Sequence, residues 1–539
     1  MSKKKIFTLI VCASIALGII AVPAYRGPRV VTLPDGTEMT VFAHGDEYFH
    51  WLTDENGNLV ELQEDGTFII SSPLSEDEIE QRIHSARRAR ARRLPTATNQ
   101  AVPLNIAPRG LLVLVGFTDV AFSTEKAEMD SMLCGQNYSR SYSFTYRGST
   151  YRISSSGSAR QYFIDQSMGQ YQPQFDVVGP YTVSKKQSYY GSNDGNGNDQ
   201  HVDEMIIEAC RAADEDGVDF TQYDNNNDGV VDFVFVIYAG NGEADGGAAS
   251  TVWPHFYWMR DGYGYGYYDD SDAIILDGKV LNAYACSNEI NYLSKKHTGI
   301  GTFCHEFGHV LGLPDLYATN KATHRTMDDW DIMDAGSYNN NGDTPPAYSA
   351  YERFFLGWLT PTVLNTSGAY SLTDLKTSNE AYMITATGKS NLIGNNPSPS
   401  EFFLLENRQK TGWDKKTAGS GMMITKIKYS YSKWNENTVN NTASSLGVDI
   451  IEAGGADQYS SATDLFPNGA TEYTPYTNYP IINITAHSGL ISFDFMNNTP
   501  NGIEQTQTTP TQARKILKDG RLLILHGEQW YDITGQKIR

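Results

Sequence analysis

Thr302-Phe303-Cys304-His305-Glu306-Phe307-Gly308-His309-Val310-Leu311-Gly312-Leu313-Pro314-Asp315 reads as a metal-binding helix followed by a turn that brings back a third ligand. Residues i and i+4 of an α-helix share a face, so His305 and His309 aim their imidazoles at one ion. Glu306 lies about 100° round from His305, within reach of a metal-bound water without being a ligand itself. Gly312 lets the backbone leave the helix at low cost, and Pro314 prevents its continuation. Asp315 then returns as the third protein ligand. Two histidines and one carboxylate leave a fourth tetrahedral position open, as catalytic zinc requires. With 11 His among 539 residues, His-Glu-x-x-His arises by composition alone in roughly one such chain in a hundred. The added Gly312 and Asp315 make the coincidence far rarer.

Working outward, Trp330-Asp331-Ile332-Met333-Asp334-Ala335-Gly336-Ser337 follows Asp315 closely. It looks like a Met-turn, with the Met333 thioether as an apolar floor under the histidines rather than a ligand. Tyr338 is placed to hydrogen-bond the oxyanion of a substrate. Upstream, Asp224-Asn225-Asn226-Asn227-Asp228-Gly229-Val230-Val231-Asp232 resembles the first part of an EF-hand loop. Asp224, Asn226, Asp228, Asp232 and the Val230 carbonyl would bind calcium and pin the next strand, although Phe235 stands where the bidentate Glu belongs. The competing reading is a plain Asn/Asp-rich turn.

The composition sets further bounds. Hydrophobic residues make up 40% and charged residues 19%, the proportions of a globular protein. A net charge of −21 argues against nucleic acid and anionic membrane surfaces as partners, since both need a cationic face. Residues 1–24 read as a secretory leader: Lys3-Lys4-Lys5, an apolar core, then Ala24 as a small-residue cleavage site. The apolar run is short for a membrane span, so no transmembrane helix is expected beyond it. Export permits disulfides among Cys134, Cys210, Cys286 and Cys304, in any of three pairings. Cys304, beside a ligand, reads better as a buried small hydrophobe.

The expected class is α+β, in five segments. After the leader comes a β-rich segment, residues 25–100, with a hairpin at Asp35-Gly36, a meander through His50-Trp51 and a helix from Ser75 to Arg93. Arg87 to Arg93 would be a processing linker, making this a propeptide; an uncut, solvated helix end is the alternative. Asp35 or Asp46 would cap the metal in the precursor. Residues 101–365 are the catalytic domain. Its central strands are Gly110–Phe117 and Phe233–Gly240, its helices Ser158–Met168 and His201–Asp214, with a closing helix from Pro345 to Trp358. The Gly262–Tyr268 run is a tyrosine- and glycine-rich loop. Residues 366–498 alternate as strands and read as a β-sandwich. Residues 499–539 are a linker and a short β-rich tail.

These residues together resemble the immune inhibitor A family of secreted metallopeptidases. The resemblance rests on the zinc helix with Leu313-Pro314-Asp315-Leu316-Tyr317, and on Pro34-Asp35-Gly36-Thr37 and Gly45-Asp46-Glu47-Tyr48-Phe49. Tyr238-Ala239-Gly240, Trp253-Pro254-His255, Gly357-Trp358, Leu405-Glu406-Asn407-Arg408 and Gly412-Trp413-Asp414 add to it. It implies a metzincin-like zinc endopeptidase made as a zymogen, stabilised by calcium, with a β-sandwich after the catalytic domain. Relatives carry Trp-His in the sandwich where this chain has Thr425-Lys426. The tail from Tyr531 to Arg539 resembles type IX sorting signals of Bacteroidetes; a terminal hairpin is the alternative.

The reading is therefore a secreted or cell-surface zinc endopeptidase acting on proteins or peptides, expected as a monomer. His305, His309 and Asp315 hold zinc, and Glu306 is the general base. Two rivals stand beside it: a zinc hydrolase of a non-peptide amide, and a surface adhesin with a vestigial site.

Overall fold

A computed structural model describes residues 22–25, 27–33, 37–46, 50–62, 68–75, 78, 79, 82, 107–193, 198–259, 274–320, 324–455 and 459–496. It also describes 514–518, 521–526, 529–531, 537 and 538. Residues 1–21, the Asp35-Gly36 turn, the arginine-rich linker, the tyrosine–glycine run and the 499–511 linker lie outside the described residues. The chain divides into residues 1–496 and 497–539.

The five-stranded sheet that carries the site has the order His255–Trp258, Ala283–Asn288, Val234–Tyr238, Arg109–Gly116, Gln174–Thr182. All neighbours are parallel except the edge strand His255–Trp258. Leu111 to Val115 form an unbroken apolar run because both faces of this strand are covered, and all five are fully buried. The two expected central strands are thus neighbours, with Val234 opposite Leu111. Helices Ala159–Gln166 and Val202–Glu215 match the periodic segments. The result is a mixed α/β arrangement with a mostly parallel sheet.

Helix Gly301–Val310 is fixed to that sheet by aromatic packing. Phe303 lies 4.6 Å from Phe235 and 5.3 Å from Phe175, centroid to centroid. Phe307 lies 4.8 Å from Phe163 and 5.3 Å from Phe233. At its C-terminus Gly312 adopts φ +97°, and the Leu313 amide returns to the Gly308 carbonyl at 3.0 Å. This glycine exit turns the chain toward Asp315.

Ahead of this domain, strands Arg29–Thr32, Glu38–Gly45, His50–Asp54, Leu59–Leu62 and Phe68–Ser71 form an antiparallel meander in chain order. Only Glu78, Ile79 and Arg82 of the Ser75–Arg93 helix are described, with Ser75 capping Glu78. Beyond the domain lie two sheets. One runs Thr362–Val363, Tyr382–Ile384, Glu401–Arg408, Gly421–Lys428, Val448–Ile450; the other runs Gly368–Leu372, Leu490–Phe495, Ile481–His487. Phe403 and Leu405 face the cluster shared by the two sheets, whereas Phe402 and Leu404 join the catalytic core. Both faces of the Glu401–Arg408 strand are therefore covered. The tail unit is an antiparallel sheet of Arg514–Lys518, Arg521–His526, Gln529–Tyr531 and Lys537–Ile538.

Three expectations change. The closing helix is shorter than Pro345 to Trp358: it spans Ala350–Phe355. Ser349 with Glu352 forms a capping box that starts the helix there. The four cysteines are free thiols, with Cys210, Cys286 and Cys304 buried. Helix Lys126–Cys134 and the hairpin Ser139–Tyr146/Ser149–Ser156 carry little apolar periodicity and escaped the sequence reading.

A fully buried ionic network joins the C-terminal sheets to the catalytic domain. Arg408 donates to Asp414 at 2.5 Å, to Glu406 at 3.1 Å and to the Ala347 carbonyl at 3.1 Å. The Glu406 carboxylate accepts from the Ala350 amide at 2.5 Å, and Asp414 from the Ala347 amide at 2.9 Å. Removing the guanidinium would strand two buried carboxylates. Arg408→Ala is expected to lower unfolding free energy by about 3–5 kcal/mol in urea titration. Lys126→Ala, which breaks the exposed pair with Asp130, should cost under about 0.5 kcal/mol.

Candidate metal centre

The Gly301–Val310 helix turns His305, Glu306 and His309 away from its phenylalanine face, and all three are fully buried. His305 Nδ1 lies 2.6 Å from the Ile332 carbonyl and His309 Nδ1 2.8 Å from the Leu313 carbonyl. A carbonyl only accepts, so each ring carries its proton on Nδ1 and presents a bare Nε2. Those two Nε2 atoms stand 3.1 Å apart. Asp315 Oδ1 lies 3.2 Å from the first and 3.3 Å from the second.

Three lone pairs thus converge with no proton between them, which is repulsive unless a cation sits among them. A tetrahedral zinc with bonds of about 2.0–2.1 Å separates its ligand atoms by about 3.3 Å, so the triangle fits. Among the described residues this is the one group of three or more acidic, His or Cys side chains that gathers within metal-holding distance. Burial lowers the His309 pKa, keeping the ring neutral as a ligand must be.

Met333 lies beneath the helix. A side chain on Gly308 would come within 2.6 Å of the Met333 sulfur, so the glycine inside His-Glu-Phe-Gly-His is there for close approach. The turn around Met333 touches the ligand set twice. Its Ile332 carbonyl takes His305, and its Met333 carbonyl takes the Leu316 amide at 2.8 Å, next to Asp315.

One partner of the ligands escaped the sequence reading. Asn437, from the C-terminal region, donates its amide to Asp315 Oδ2 at 2.6 Å and accepts from the Asp315 main chain at 2.7 Å. Asn440 donates to the Leu316 carbonyl at 2.7 Å. The only sequence cue was an Asn-rich string, Asn435-Glu436-Asn437-Thr438-Val439-Asn440-Asn441, which looks like loop.

Residues 22–25 run across the site. The Val22 amide donates to Glu306 Oε1 at 3.1 Å, and Trp253 Nε1 donates to the Val22 carbonyl at 3.2 Å. The Tyr338 phenol donates to the Pro23 carbonyl at 2.8 Å, and the Tyr25 amide to the Ala244 carbonyl at 2.8 Å. Tyr338 therefore stands in the cleft and presents its hydroxyl to a peptide carbonyl. Of the two carboxylates expected to cap the metal, Asp35 lies outside the described residues, and Asp46 is not one of the three converging donors. The reaching group is main chain.

Asp224, Asn226, Asp228, Val230 and Asp232 lie together in one loop ahead of strand Val234–Tyr238. Asp224, Asp228 and Asp232 do not gather their oxygens as the zinc donors do. Asp224 takes the Lys279 ammonium at 2.7 Å together with the Asp228 and Gly229 amides, both at 3.0 Å. Asn226 accepts from the Asp228 amide at 2.9 Å, Asp228 from the Val230 amide at 2.9 Å, and Asp232 from the Asn225 amide at 2.7 Å. The loop's carboxylates accept from its own backbone, from the Asn225 and Asn226 side-chain amides and from Lys279. Lys426, the residue that departs from the family pattern, lies 3.5 Å from Glu401 and over the Phe403 ring.

A family model described as the immune inhibitor A peptidase M6 catalytic domain matches residues 106–359. The pre-pro-metalloprotease PrtV of Vibrio cholerae serotype O1 is 30% identical over 220 residues, 37% of this chain and 23% of that protein. Immune inhibitor A of Bacillus thuringiensis subsp. alesti is 27% identical over 220 residues, 36% of this chain and 31% of that protein. The match thus spans less than a third of either relative's length.

Two outcomes follow from this geometry. Asn437→Ala should weaken zinc binding by about 10- to 100-fold in a competition titration with a chromogenic chelator, because it frees the Asp315 carboxylate to rotate. The second concerns Asp331, whose Oδ1 accepts from the Met333 amide at 2.8 Å. Burial, with Asp334 adding to it, pushes its carboxyl up to about 7 against the Met333 amide and Arg408. The folded chain then keeps a proton that the unfolded chain releases above about pH 4. That contribution to stability is complete below the unfolded pKa and is lost as pH rises through about 7. In melting curves from pH 4 to 8, Asp331→Asn should flatten this decline.

Proposed function

We propose that this chain, whose residues 106–359 match the immune inhibitor A peptidase M6 catalytic-domain model, is a secreted zinc-dependent endopeptidase made as a zymogen. The observation that carries it is the buried triangle of His305 Nε2, His309 Nε2 and Asp315 Oδ1, with edges of 3.1–3.3 Å and Glu306 alongside. Zinc bound there supplies an acidified water and a Lewis acid for the scissile carbonyl. Glu306 takes the proton of the attacking water and hands it to the leaving amine. The Tyr338 hydroxyl, which meets the Pro23 carbonyl, is available to a substrate carbonyl oxygen as charge develops there. The Met333 turn and Asn437 keep the ligands from rotating.

The zymogen reading is supported by the N-terminal segment. Val22 spends an oxygen of the base on a main-chain hydrogen bond, and residues 22–25 fill the cleft a substrate would need. Val22 and Ala24 are buried against Ala244 and Trp253. That favours a leader cut ahead of Val22 over one at Ala24, with release by later cleavage near Arg87 to Arg93. Export follows from the leader reading, and among the described residues no helix is long and apolar enough to cross a membrane. The N-terminal meander is then the propeptide, and the paired C-terminal sheets are the β-sandwich of a metzincin-like enzyme. We carry the sorting role of the tail forward as part of this reading.

The test is hydrolysis of denatured casein by the precursor, the processed protein and processed Glu306→Ala, with zinc content measured for each. Processed wild type should be at least about tenfold faster than the precursor. Glu306→Ala should fall by about 10²- to 10⁴-fold with one zinc retained. Hydrolysis insensitive to both a chelator and Glu306→Ala would overturn the assignment. Zinc bound without any casein cleavage would favour the non-peptide hydrolase or the adhesin.

A further inference from the structure

The ledge Glu243-Ala244-Asp245 borders the cleft and offers acceptors only. Arg29, 6% exposed, points its guanidinium into it and donates to the Glu243 carbonyl at 3.3 Å and to the Ala244 carbonyl at 2.7 Å. Asp245, 7% exposed, is held through Oδ2 by Asn288 at 3.0 Å and by the Tyr292 amide at 3.2 Å. Its Oδ1 is buried and takes no hydrogen bond. The Glu243 carboxylate receives a second basic group, His50 Nε2 at 2.6 Å, stacked on Trp253. Arg29 and His50 both come from the N-terminal meander. The neighbouring Lys295 ammonium lies over the Tyr292 ring at 3.8 Å from its centroid.

The ledge is tied to the reaction centre by the same backbone. The Ala244 carbonyl accepts both the Tyr25 amide and Arg29, while Ala244 packs against Val22, whose amide meets Glu306. Tyr25 is three residue steps from Val22, a reach of at most about 10 Å. When the meander leaves, the Glu243 and Ala244 carbonyls lose the Arg29 guanidinium, and the Glu243 carboxylate loses His50. Buried acceptors without donors are costly, and a guanidinium with five N–H groups satisfies most of them at once.

We propose that this ledge is the substrate subsite that selects a basic side chain, arginine above all, and that Arg29 is its stand-in occupant in the precursor. The inference rests on the peptidase and zymogen reading above. Asp245 is the foremost charge acting on the Arg29 guanidinium, so an acidic or apolar side chain would leave the two carbonyls without a donor and Asp245 without that cation, and the subsite rejects both.

The test uses processed full-chain Glu306→Ala, freed of its N-terminal segment, and two synthetic peptides: residues 22–29 and the Arg29→Gln analogue. Calorimetry should give the analogue an affinity at least about tenfold weaker. Asp245→Asn should erase that difference while leaving binding of the analogue unchanged. Equal affinities, a difference that survives Asp245→Asn, or no binding of either peptide would overturn the proposal. Should Asp245→Asn not fold, Glu243→Gln and cleavage-site mapping of the processed wild type on a peptide mixture decide. Enrichment of Arg and Lys at one subsite position supports the ledge. Casein cleavage without such enrichment overturns the ledge and leaves the peptidase reading standing.

Discussion

Three electron-pair donors held within 3.3 Å of one another, with no proton between them, are the constraint on which the rest depends. Such a triangle would fly apart in a flexible chain. It persists because every donor is fixed from behind: two by main-chain carbonyls, the third by Asn437. The carbonyls belong to different elements, one in the Met333 turn and one in the glycine exit of the helix. Closing the triangle therefore requires the helix, the exit and the turn to be in register at once.

The phenylalanines under the helix supply the rigid side of that arrangement. Phe303 and Phe307 set the helix on the parallel sheet, so its polar face has only one orientation. Arg408, Glu406 and Asp414 do the same for the C-terminal sheets, and through them for the loop that carries Asn437. A buried ionic network gains little over an apolar contact of the same volume, but it tolerates few other geometries. Here it sits between two bodies whose relative placement sets the angle of a metal ligand.

The segment across the cleft behaves as a peptide would. It offers an amide to the base, carbonyls to Tyr338 and Trp253, and a strand-like hydrogen bond to the Ala244 ledge. It is held by Arg29 and His50 on acidic groups rather than by a carboxylate on the metal donors.

Sequence alone determined the local part. His305, Glu306, His309 and Asp315 are fixed by helix periodicity and a glycine exit, which are short-range effects within one stretch. The central strands were legible because a doubly covered strand must be apolar throughout, as Leu111 to Val115 are. In the Asp224–Asp232 loop the acidic residues are adjacent in sequence, yet the lysine that pairs with the first of them, Lys279, is distant in the chain. Asn437, Lys279 and the Val22 contact come from partners far along the chain. No periodicity encodes them, because they exist only once packing has brought separate elements together. The ligand set is a property of one helix and its turn; its orientation, its cover and the company of the calcium-like loop belong to the tertiary structure.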